Sequence, residues 1–169
     1  MLVLDAGEAG ALADAIAAVT ETGADHVVGI ATSISAEDWI DALEGAQHSV
    51  ESATVLDATG EGPTAAQEDG GPAIETRDLS GASLGDVGSA AVDAIAAGGQ
   101  GPPAVLIDSV AALTEDPGTR FKFLDLLGRR VARDDGQLRA LEGRPPLPEH
   151  ERQTVQEVFD AVTEPRESA

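Results

Sequence analysis

Asp108 ends an apolar run, "AVLID" (104–108), and is followed directly by Ser109. A buried strand that closes on an aspartate presents a carboxylate at a loop. From that position nucleotide-hydrolysing proteins hold a magnesium ion. Asp57 ends a second such run, "ATVLD", and Asp5 a third, "LVLD". Acids at strand ends can also receive a phosphoryl group, and in that reading Asp57 is the acceptor and Ser109 the assisting hydroxyl. Other residue types offer less. His26, His48 and His150 lack metal-ligand spacing and there is no cysteine, so no metal site is expected. Ser109 with His150 lacks the G-x-S-x-G elbow of a hydrolase, and Gly7 with Gly10 does not complete a G-x-G-x-x-G dinucleotide loop. Arg120, Lys122, Arg129, Arg130 and Arg133 crowd into 120–133, half of all the basic residues. They form either a docking face for an acidic partner or a solvated helix face.

The elements that must position these groups alternate. "MLVLDAG", "HVVGIAT" (26–32), "SATVLDATG" (52–60) and the apolar run within "GPPAVLIDSVAAL" (101–113) read as buried strands, and "GQLRALEG" (136–143) as a weaker fifth. Between them, Leu12, Ala15, Ile16 and Val19 recur at helical spacing. "SAED" (35–38) and "SLGD" (83–86) are capping boxes that open helices. Asp116-Pro117 starts another helix, with a predicted buried stripe of Phe121, Leu124, Gly128 and Val131. Val155, Val158, Phe159 and Val162 mark a last one. Residues 58–81 are rich in glycine and proline and read as a long loop, and 163–169 as a tail. Continuously apolar strands alternating with helices predict one domain over 1–169. Its fold is a three-layer α/β/α sandwich around a mainly parallel sheet of about five strands.

Composition narrows the setting. The 169 residues are 42% hydrophobic, enough for a core, yet only 2% aromatic, so Ala, Val, Leu and Ile must fill it around Trp39, Phe121, Phe123 and Phe159. The formal net charge is −21, and Lys122 is the only lysine. Such a surface repels nucleic acid and anionic membrane, and hydrated carboxylates in this number suit concentrated salt. No run approaches the ~18 apolar residues of a membrane span. "MLVLDAG" has no basic flank of a signal peptide, so a cytoplasmic protein is expected.

The succession "VLDAT", "DLSGASLGDVGSAAVDAI", "AVLIDSVAAL", "RFKFLDLLGRRVARDDGQL" resembles the KaiC-like domains of the RecA-like P-loop ATPases. "TVQEVFDAV" (154–162) is similar to that family's segment after the fifth strand. The likeness is closest to a haloarchaeal group of KaiC-like domains, which implies a halophilic archaeal source. The resemblance implies a Walker B position at Asp108 and Ser109, and a Walker A loop, G-x-x-x-x-G-K-[ST], at the first strand end. There the chain reads "DAGEAGAL": Asp5 stands at the first glycine, Gly7 lies within, and Gly10 matches the second. Ala11 replaces the lysine and Leu12 the Ser/Thr. The family's catalytic Glu pair is also missing, since the second strand runs on as "GIATSIS". Phosphoryl transfer depends on positioned charge, so a loop without lysine and hydroxyl, flanked by Asp5 and Glu8, opposes a triphosphate.

The expectation is therefore a non-catalytic regulatory or protein-interaction module that binds a protein partner or itself and needs no cofactor. An atypical ATPase of the KaiC family, using ATP and magnesium, is one rival. A domain like a response-regulator receiver, phosphorylated on Asp57, is the other, although its expected fifth-strand lysine is absent.

Overall fold

The computed structural model describes residues 1–5, 11–45, 50–61 and 73–163. Gly7, Glu8 and Gly10 of the first loop, His48, residues 62–72 of the long loop and the tail beyond Thr163 lie outside the described residues. The chain runs β1 (Leu2–Asp5), α1 (Ala11–Thr20), β2 (His26–Ala31), α2 (Ala36–Gly45), β3 (Ser52–Asp57) and β4 (Ala73–Asp78). It continues through α3 (Leu84–Ala97), β5 (Ala104–Ile107), α4 (Pro117–Arg133), β6 (Gln137–Leu141), α5 (Glu149–Gln156) and β7 (Ala161–Thr163). The strands lie in the order β4-β3-β2-β5-β6-β1-β7, and all pairings are parallel.

Successive side chains of a strand point to opposite faces, and helices cover both. Val28, Ile30, Val105, Ile107 and Leu138 join α3, α4 and α5 in one core, with Phe123, Leu124 and Phe159 as its large members. Val27, Ala31, Val55 and Leu106 join α1 and α2 in the other, around Trp39 and Leu43. This is the expected α/β/α sandwich, with seven strands among the described residues in place of about five.

The added strands correct two expectations. β4 occupies 73–78, inside the stretch read as loop. "AIETRD" has little apolar content because β4 is an edge strand, held through its backbone to β3 with Ser52 level with Ala73 and Asp57 level with Asp78. The Arg77–Glu75 pair on it blunts the exposed edge. Val162, expected on the last helix, instead lies in β7 beside β1; α5 ends at Gln156. In α4, Phe121 is only half-buried, whereas Phe123 and Leu127 reach the core.

The caps at Ser83 and Asp116 form as their sequences predict, and at 35–38 the Ser35 hydroxyl accepts from the Asp38 N–H. Ser83 accepts a hydrogen bond from the Asp86 N–H while the Asp86 carboxylate accepts from the Ser83 N–H, starting α3. Asp116 accepts from the Thr119 N–H ahead of Pro117, starting α4.

Candidate functional site

In a parallel sheet, ligands bind beyond the carboxyl ends of the strands, where neighbouring connections leave in opposite directions. Here that crevice lies between β2 and β5: the chain leaves β2 toward β3 on one side and leaves β5 toward β6 on the other. Asp108 sits at its lip and is 3% exposed.

The carboxylate of Asp108 is turned onto the β2–α2 loop. Its Oδ1 accepts from the Thr32 N–H at 2.8 Å and lies 2.6 Å from the Thr32 hydroxyl. Its Oδ2 accepts from the N–H groups of Ser33 (3.0 Å) and Ile34 (2.6 Å) and from Trp39 Nε1 (3.4 Å). Successive backbone N–H groups curled around an anion form a nest, and here the anion is the protein's own side chain. A carboxylate offers about four lone-pair sites, and these donors occupy them. A metal ion would have to displace backbone partners that have no other acceptor among the described residues. Trp39, fully buried, reaches this position by lying against Gly29, where a Cβ would come within 2.6 Å of the ring.

The neighbouring strand ends are closed in related ways. Ser109 is 1% exposed and its Oγ accepts from the Ala112 N–H. The Val110 and Ala111 N–H groups donate to the carbonyls of Leu141 and Glu142, tying the loop after β5 to the end of β6. Gly143 passes so close to Ser109, at φ +96, that a side chain there would enter the Ser109 hydroxyl. The buried Glu142 carboxylate accepts from the Leu147 N–H and from both Nε and Nη2 of Arg152. Asp57 is wholly buried; its Oδ1 accepts from the N–H and hydroxyl of Thr59, and its Oδ2 has no hydrogen-bond partner among the described residues. Next to it in register, Asp78 accepts from the N–H and hydroxyl of Ser80, and the hydroxyl contact holds its carboxyl below the usual range.

At the end of the first strand, Asp5 is the last residue of β1, level with Leu141 and Thr163. Ala11 opens α1, and Leu12 is buried in the core with Ile16 and Val19.

The basic cluster divides. Arg120 is corrected from surface to interior: it is 4% exposed, with Nη1 donating to Glu151 at 2.7 Å and Nη2 to the Thr114 carbonyl, so it links α4 to α5. Arg129 pairs with Asp125 and Arg130 with Asp134 along the helix. Lys122, Arg129 and Arg133 are exposed. His26 is half-buried between the Ser52 hydroxyl (2.7 Å) and the Thr54 hydroxyl (3.4 Å). Burial pushes its pKa down, against the raising effect of Asp25 and Glu75. His150 is exposed, 3.9 Å from Glu151. Among the described residues no cluster of His, Asp and Glu is arranged to hold a metal ion, and no helix is long and apolar enough to cross a membrane.

Two features escaped sequence reasoning. The "TSI" segment that encloses Asp108 carried one signal, a hydroxyl-bearing run at a strand end. The Glu142–Arg152 clamp had none, since the partners lie ten residues apart across a proline-rich connector. No curated protein matches the chain. The model of a family of unknown function (DUF7504) matches residues 1–165, so the chain belongs to that family.

Proposed function

We infer that the chain is a non-catalytic KaiC/RecA-like module, in which ATP hydrolysis has been lost and function rests on protein contact. The observation that carries this reading is the closure of Asp108 by Thr32, Ser33, Ile34 and Trp39. The residue that should face magnesium instead holds the β2–α2 loop. Leu12, buried in the core, adds to it, because that position cannot turn a hydroxyl toward a metal. The parallel sheet with "IDS" at the crevice lip supports the family likeness. The strongly acidic surface supports a halophilic archaeal cytosol as its setting.

The test is titration calorimetry with magnesium-ATP, and phosphate release, in molar salt. The wild-type chain is compared with Asp108→Ala, and folding of both is verified by circular dichroism. No heat and no turnover are expected from either. Micromolar affinity or turnover that disappears in a folded Asp108→Ala chain overturns the reading in favour of an ATPase. Incubation with acetyl phosphate covers the receiver alternative. Label that appears on the wild type and is lost in Asp57→Ala would favour it, while the complete burial of Asp57 opposes it.

A further inference from the structure

α3 and α4 lie side by side on one face of the sheet. Each returns the chain between parallel strands, so the two helices run in the same direction. Gly88 faces the Phe123 ring, and a Cβ there would sit 3.4 Å from it. Between the helices runs an open groove of about 550 Å³ with Leu84, Val92, Phe123, Leu126 and Leu127 in its lining. Leu126 is 58% exposed, one of two large apolar side chains so exposed among the described residues.

The two helices that flank the groove carry opposite charge, with Lys122 and Asp93 in its lining. On α4, the exposed Lys122, Leu126 and Arg129 follow i, i+4, i+7 spacing and so share one face. That helix holds half of the chain's basic residues against one acid, Asp125. On α3, the exposed acids Asp86 and Asp93 are also seven residues apart, and the helix has no basic residue. Both spacings are two helical turns, about 10 Å. With Gly88 beside Phe123, Asp86 lies near the level of Lys122, and Asp93 near that of Arg129.

We propose that this groove is the docking face for a second copy of the chain, joined about a two-fold axis parallel to the groove. Such an axis lays α4 of each copy over α3 of the other and leaves heights along the groove unchanged. Lys122 then meets Asp86 of the other copy, Arg129 meets Asp93, and Leu126 enters the apolar floor. The small residues Gly85, Gly88 and Ser89 on α3 allow that approach. Charge argues for this face because the chain carries −21 overall, so copies repel except where α4 offers its cations. Arg129 gives up only its exposed pair with Asp125, which contributes little. The inference rests on the contact-module reading. ATP turnover would overturn that reading, whereas a monomeric chain overturns this one alone.

Sedimentation of the full chain, in dilute and in molar salt, tests it. Twice the chain mass is expected for the wild type. Leu126→Glu, a change at an exposed position, is expected to halve the mass while circular dichroism stays unchanged. Lys122→Glu with Arg129→Glu is expected to do the same in dilute salt; Arg129→Glu alone is expected to weaken the dimer there, and adding Asp93→Lys to restore it. A wild type that stays monomeric in both salts, or a dimer that survives Leu126→Glu, overturns the proposal.

Discussion

Replacing Asp108 by asparagine swaps one carboxylate oxygen for an NH2 group and removes the charge, with almost no change of shape. In the cheaper orientation the NH2 takes the place of Oδ1. The Thr32 hydroxyl can then turn to the Ser109 carbonyl, 3.0 Å away, and the Thr32 N–H loses its acceptor. A buried donor left without a partner costs about 1–3 kcal/mol. The Ser33 and Ile34 N–H groups keep an oxygen but lose its charge, about 1 kcal/mol each. An amide is cheaper to bury than a carboxylate, which offsets part of this. The net expectation is a loss of about 2–4 kcal/mol, or a melting temperature lower by roughly 5–15 °C for a chain of this size. Thermal unfolding followed by circular dichroism measures it, with the exposed Asp41→Asn as control, expected within about 0.5 kcal/mol of wild type. If Asp108→Asn melts with the control, the carboxylate does not hold the loop. Asp108 would then be available to a metal ion.

Gly143→Ala combines a positive φ with an overlap on the Ser109 hydroxyl, so a loss of about 2–4 kcal/mol is expected in urea titration, partly recovered by adding Ser109→Gly. His26, whose folded pKa is lowered by burial, binds fewer protons folded than unfolded. Its contribution is therefore intact above the unfolded value of ~6.5 and falls away as pH drops below it. His26→Gln is expected to flatten the stability profile in that window, and an unchanged slope would rule the contribution out. Ser83→Ala removes one half of the α3 capping box and is expected to lower stability by about 1 kcal/mol, read from the same denaturation midpoint.

Period and punctuation made most of the fold legible. Val27, Val28, Ile30, Val105, Leu106 and Ile107 are apolar on both faces because both faces of their strands are covered, and such runs announce a parallel sheet. β4 was not legible because an edge strand is held by backbone hydrogen bonds, to which "AIETRD" contributes no side-chain signal. Val162 kept helical spacing with Val155 and Phe159 by coincidence, while three residues of β7 are too few to display alternation. At the site, the strand-end position of Asp108 could be read from "AVLID", but its orientation could not. That depends on Thr32 to Ile34, more than seventy residues earlier, which the β2–β5 pairing brings alongside. Arg120 misled for a similar reason. Charge suggested surface, and only the packing of α5 supplies the Glu151 that lets a guanidinium stay inside.

The seat of Trp39 has a practical consequence. The chain has one tryptophan and no tyrosine, so its near-ultraviolet emission comes essentially from one indole. That ring lies against β2 at Gly29 with its N–H on Asp108, at the crevice itself. The protein thus carries its own optical probe there. Anything that enters between β2 and β5, or pulls Asp108 away from the loop, must change the colour or intensity of the emitted light without a label.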